Sequence, residues 1–130
     1  MGSRHKYDYT VIRVVPRVDR AEFVNAGVVL YCRELDYLAA RTEVDLARLE
    51  ALAPGADVET VERALAVYPL VCAGDDAAGP VARLTQAERF HWLVAPRSTL
   101  IQTAPVHAGF CTDPDESLER LVETMVRVRR

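Results

Sequence analysis

The side chains best suited to chemistry in this 130-residue chain gather in two stretches. The first runs from Arg13 to Gly27 and carries Arg13, Arg17, Arg20, Glu22 and Asn25. Guanidinium groups recognise phosphate or carboxylate through forked hydrogen bonds, and Glu22 beside them is a candidate to move a proton. The second is PRSTLIQTAPVHAG, residues 96–109, with Arg97, Ser98, Thr99, Gln102 and His107. An Arg-Ser-Thr run at a strand entrance offers guanidinium, hydroxyls and amides to an anion. His107 changes charge near neutral pH and is the candidate for acid–base work; the flanking Pro105 and Gly109 place it on a loop. Each feature also has a plain structural reading. Surface arginines beside acids are commonly solvated pairs, and hydroxyls in a helix-to-strand connection commonly satisfy local backbone. Arg13 stands apart, because it interrupts an apolar strand and so implies an edge, a buried pair or a site.

Asn25-Ala26-Gly27 poses its own question, since turn chemistry runs straight into the apolar Val28-Val29-Leu30-Tyr31-Cys32. Asn25 can bond backbone two residues on, and Gly27 permits positive φ, a bulge, or close approach by another backbone. The structural reading is a turn that aims the second strand into the sheet. The functional reading makes Asn25 a polar contact in a cleft, with Gly27 leaving room for a ligand or partner. The candidate binding set is therefore Arg13, Arg17, Glu22, Asn25, Gly27, Arg97, Ser98, Thr99, Gln102 and His107, directed at an anionic ligand or a partner protein. No catalytic residue is assigned.

Other chemistries find less support. His5, His91 and His107 show no ligand spacing, so no metal is expected, and no nucleotide or cofactor motif is present. Cys32, Cys72 and Cys111 are odd in number and far apart, which signals neither a disulfide framework nor a zinc site. Cys111 lies near a helix N-terminus, a weak claim to a reactive thiol. A net charge of -3 argues against nucleic acid as a general partner. Charge is nonetheless segregated. Residues 1–20 hold five basic side chains against two acids, and residues 34–63 hold eight acids against three arginines. No signal peptide and no membrane span is expected, and the address expected is a reducing cytoplasm.

These residues need elements to hold them. Tyr7 to Val15, Gly27 to Cys32 and Tyr37 to Arg41 read as three strands of an antiparallel meander, and Ser98 to Thr103 as a later fourth. Leu46, Leu49 and Leu52 space a helix that Pro54-Gly55 ends; Asp57 caps another that Pro69 breaks. Thr85 and Glu88 form a capping box for a short helix through Trp92. Asp113-Pro114-Asp115-Glu116 opens the clearest element, with a stripe of Leu118, Leu121, Val122, Met125 and Val126 and with Arg127, Arg129 and Arg130 at its end. The expected fold is a single α+β domain over residues 1–130, with residues 1–6 flexible. It has a small, mainly antiparallel sheet, three N-terminal strands plus one later strand, and several helices packed on one side.

Two segments carry a family resemblance: YDYTVIRVVPRVDRAEFVNAGVVLYC, and downstream ERFHWLVAPRSTLIQTAPVHAG. Together they resemble a bacterial family known as domain of unknown function 3037, from Tyr7 to the final helix. Its most distinctive pieces match Glu22 to Leu30 and Ala95 to Thr99. The resemblance implies a small cytosolic bacterial protein, often encoded beside a protein of kinase-like fold that would be its partner. The leading expectation is a non-catalytic binding or accessory module. The alternative is a small hydrolase or transferase acting on a phosphorylated or nucleotide substrate, with Arg13, Arg17 and Arg97 holding the anion and His107 or Glu22 moving a proton. It requires His107 to reach the arginines. Oligomeric state is not specified by the sequence.

Overall fold

The computed structural model describes residues 3–128. β-Branched and aromatic residues make β1 (His5–Val14) and β2 (Val24–Cys32), and a 3-10 turn at Arg33–Leu35, closed by Asp36 at φ 49°, leads into β3 (Tyr37–Thr42). Two helices follow, α1 (Leu46–Leu52) and α2 (Val58–Ala73), then α3 (Gln86–Val94). The short β4 (Ile101–Thr103) and β5 (His107–Cys111) return to the sheet before α4 (Pro114–Met125). All pairings are antiparallel, in the order β3-β2-β1, with β4 and β5 sharing the far side of β1. The fold is α+β, as the sequence indicates. A second late strand, β5, adds to the single one expected, and it takes His107 off a loop and into the sheet. His5 and Lys6, expected to be flexible, belong to β1. Residues 1, 2, 129 and 130 lie outside the described residues, Arg129 and Arg130 among them.

Side-chain alternation divides the core. Ile12 and Val14 of β1 and Val29 of β2 face α1, α2 and α3, packing with Leu49, Leu65, Val71, Phe90 and Leu93. Tyr7, Val28, Leu30 and Cys32 face the other way, onto Leu118, Val122 and Val126 of α4 and its following turn. Three helices thus pack on one side, while α4 covers the second face.

Two local readings are corrected. Pro69 does not break α2, which continues to Ala73 and ends at Gly74 with φ 67°. The lost Pro69 N–H bond is offset by burial of Val71 and Cys72, whose carbonyls also accept from the Arg89 guanidinium at 2.9 and 2.7 Å. Asn25-Ala26-Gly27 is not a turn before the strand but a bulge within it. Arg13 pairs with Asn25 and Ile12 with Gly27, leaving buried Ala26 as the extra residue. The glycine is required by crowding: a Cβ at Gly27 would stand 2.6 Å from the Arg41 carbonyl oxygen.

Candidate functional site

The middle of the first polar stretch lines a cleft of about 690 Å³. Pro16 stops β1, and Val18–Arg20 form one 3-10 turn closed by Ala21 at φ 56°. This loop holds Arg17, Arg20 and Glu22 along one wall. The opposite wall is the corner between α1 and α2, where Gly55 adopts φ 77° and Ala56 donates to the Ala53 carbonyl at 3.0 Å. Leu49, Val61 and Leu100 add apolar surface to the lining. Asp57 caps α2 at its edge, accepting from the Thr60 amide at 3.2 Å and hydroxyl at 2.7 Å, and these bonds hold its carboxyl below the usual range. Arg17 donates to Asp19 at 2.9 Å and lowers that carboxyl; Arg20 pairs with Glu22, which raises the guanidinium. The cleft therefore joins an apolar lining to a rim of balanced, exposed charge. It is suited to a surface of matching polarity.

The candidate residues divide among four places. Arg17 and Glu22 line this cleft. Arg13, Asn25 and Gln102 lie in one cross-strand row on the α4 face. Asn25 Nδ2 donates to the Met125 carbonyl at 3.0 Å, holding the end of α4, while its Oδ1 is buried with no hydrogen-bond partner. Arg13 stacks over Phe23, 4.1 Å from the ring centre, and its Nε is likewise buried and unpartnered. It lies in a central strand and has no ion pair among the described residues, so of its three expected settings neither the edge nor the buried pair applies. Gly27 sits in the bulge, its space taken by Arg41 backbone.

Arg97, Ser98 and Thr99 form the third group. Arg97 donates to the carbonyls of Leu93 at 3.0 Å and Trp92 at 2.6 Å and lies 4.6 Å over the Trp92 ring, so it closes the end of α3. The Thr99 hydroxyl donates to the Ile101 carbonyl at 2.9 Å, and Gln102 Nε2 to the Thr99 carbonyl at 3.0 Å. Ser98 is exposed beside them. The two polar stretches do meet through backbone: the Val15 amide donates to the Leu100 carbonyl at 2.7 Å. Leu100 is shared by the cleft and by a hollow of about 250 Å³ beneath Trp92 and Arg97.

His107 stands alone. It pairs with Tyr9 in β1, its ring 5.8 Å from the tyrosine ring. Four β residues separate Tyr9 from Arg13, roughly 13 Å along the strand. The structure does not bring His107 together with Arg13, Arg17 or Arg97. Cys111 is buried and its thiol is pushed up by burial, the reverse of activation. Among the described residues no group of three or more His, Cys, Asp or Glu could hold a metal ion, and no helix is long and apolar enough to cross a membrane.

The corner from Ala51 to Asp57 was the part of the cleft missed from sequence. Pro54-Gly55 and Asp57 are readable as stop and start signals, and so short a connection must set the end of α1 against the beginning of α2. No curated protein and no solved structure matches the chain. The family described as Protein of unknown function (DUF3037) matches residues 9–126, and with nearly its whole length covered the protein belongs to that family.

Proposed function

We propose that this chain is a non-catalytic binding module of a bacterial cytosolic system, an accessory subunit to a kinase-like protein, with the Arg17 cleft as its contact surface. The observation that carries the reading is how the polar groups are spent. Arg97, Thr99, Gln102 and Asn25 are tied to backbone carbonyls of the fold itself, whereas Arg17, Arg20 and Glu22 stand exposed at the rim of a cleft lined with apolar side chains. Fixed charge around an apolar centre is the anatomy of a protein contact, where rim charges steer encounter and set specificity. The kinase-like nature of the partner rests on the family resemblance.

The test is calorimetric titration of the purified chain with the kinase-like protein encoded beside it. A stoichiometric complex is expected. The double variant Arg17→Glu/Arg20→Glu should weaken it about tenfold or more, largely through association rate. Its melting temperature should stay within about 2 °C of the parent, because exposed ion pairs contribute little. Lack of any complex would sink the reading. An intact complex in the double variant would move the contact away from the cleft.

A further inference from the structure

Two outer strands of the sheet, β3 and β5, are treated differently. β3 has no fully exposed residue, lies against α2, and is fastened to α4 through Tyr37–Asp115 and Arg41–Glu119. β5 is bare. Its inner side pairs with β1, and the backbone of residues 106–112 makes no other hydrogen bond among the described residues. His107, Ala108 and Phe110 are exposed, Phe110 at 58%, and β5 contains no lysine, proline or acid to discourage pairing. Unguarded edges of this kind template a further strand. α4 lies mainly over β2 and β3, which leaves that edge open.

We infer that β5 pairs antiparallel with β5 of a second copy of this chain, joining two five-stranded sheets into one. The strand is complementary to itself. A two-fold axis at Gly109 sets Phe110 opposite Ala108 of the copy, large against small, and sets no like charges opposite each other. At the axis each Gly109 is covered by Tyr7, whose Cζ and hydroxyl oxygen would lie 2.5 Å from an added Cβ. The charges beside β5 are complementary as well. Arg4 stacks 5.0 Å from the Phe110 ring centre and has no carboxylate partner among the described residues. Ala108 pairs with Asp8 in β1. At ordinary strand spacing, Asp8 of the copy, which lies 4.0 Å from its own Lys6, therefore falls roughly 10 Å from Phe110, on the same face and toward the unpaired Arg4. A five-residue strand pair buries less than a standard interface, so association in the micromolar range, roughly 10–100 µM, is expected. This inference is independent of the Arg17 cleft, which lies at the other end of β1.

Sedimentation velocity of the full chain from about 1 to 500 µM tests it, together with amide exchange at both limits. A monomer–dimer equilibrium is expected, with the amides of residues 107–111 gaining protection as the dimer forms. Phe110→Glu should keep the melting temperature, since Arg4 and Lys6 can satisfy the new carboxylate at the open edge, yet remain monomeric, because pairing would lose the Phe110–Ala108 contact and strip water from a charge at the centre of the seam. Arg4→Glu should weaken the dimer about tenfold, and adding Asp8→Arg should restore it. A chain that stays monomeric throughout overturns the proposal. So does a dimer that survives Phe110→Glu or protects amides elsewhere, and so does a β5 edge protected only by a different protein.

Discussion

The two faces of the sheet are closed by different physics. On the α1–α3 face, Ile12, Val14, Val29, Leu49, Leu65, Val71 and Leu93 interlock, and the arginines that reach inward end on backbone carbonyls. On the α4 face a narrower seam of Leu118, Val122 and Val126 meets Val28, Leu30 and Cys32. That seam is bordered by carboxylates: Asp115 accepts from Tyr37, Glu119 from Arg41, and Arg127 is shared by Glu43, Glu119 and Glu123. The contrast teaches that one face depends on buried area, which salt and mild acid barely touch, and the other also depends on ionised groups. α4 should be the element that loosens first. Buried thiols report on each face: Cys72 on the first, Cys32 and Cys111 on the second.

The largest expected effect breaks the stronger face. Leu93 is fully buried, and Leu93→Ala should cost about 3 kcal/mol through lost transfer energy and a residual cavity. Urea unfolding measures it. Burial pushes the Cys72 thiol up to about 12, so alkylation near neutral pH needs opening of the structure. Loss of the larger core should open the whole domain, and all three thiols should label faster together. Faster labelling of Cys72 alone would show that the faces are separate folding units.

Next in size is Asn25→Ala, which removes the bond to the Met125 carbonyl from a half-buried site. A loss of about 1 kcal/mol is expected. Labelling should accelerate at Cys32 and Cys111 but not at Cys72. Equal acceleration everywhere would mean that α4 does not open independently.

These variants also mark what the sequence could tell. Capping chemistry was legible because it is local: Thr85–Glu88 and Asp113–Pro114 begin α3 and α4 where they were expected. Pro69 misled because its penalty is local while the burial that offsets it is tertiary. The Asn25–Gly27 bulge misled because glycine serves turns and crowded strands alike, and only the approach of Arg41 decides between them. β5 was missed because His-Ala-Gly-Phe-Cys has weak strand character without β1 beside it. The second covered face did leave a trace: Val28 to Cys32 is apolar at every position, the pattern of a strand buried on both sides, whereas alternation would mark one wet face. Within the site, Arg17 was legible as part of a basic loop, but the wall it faces comes from a helix corner that carries no chemical motif.

A smaller effect should come from acid. Arg127 and Arg41 hold the Glu119 carboxyl below its usual range. A carboxylate lowered on folding takes up protons more readily when unfolded, so its contribution is fully present above the unfolded value, about pH 4.3, and is lost as pH falls through the lower folded value. Asp57 and Glu88 are lowered too, but they cap helix ends on the first face and do not close it. Below about pH 4 the Tyr37 signal, tied to Asp115, should change before Trp92 fluorescence. Simultaneous change would erase the distinction between the faces.

The smallest expected effect is the sharpest test, because it concerns an arginine whose Nε is buried without a partner. Arg89 and Arg97 end on carbonyls and Arg41 and Arg127 on carboxylates, but Arg13 has only the face of Phe23, and its Nε is buried without a partner. A buried donor left unpaired costs stability, while the aliphatic stem of the side chain still packs. Arg13→Met keeps the stem and removes the donor. Stability should therefore stay within about 0.5 kcal/mol of the parent or rise, even though its cross-strand neighbour Asn25 is costly to lose. A loss above about 2 kcal/mol would mean that the guanidinium on Phe23 fastens the end of α4, and the two faces would then share a dependence on inward-reaching arginine. Neutrality would instead mark Arg13 as a residue the fold tolerates and does not need.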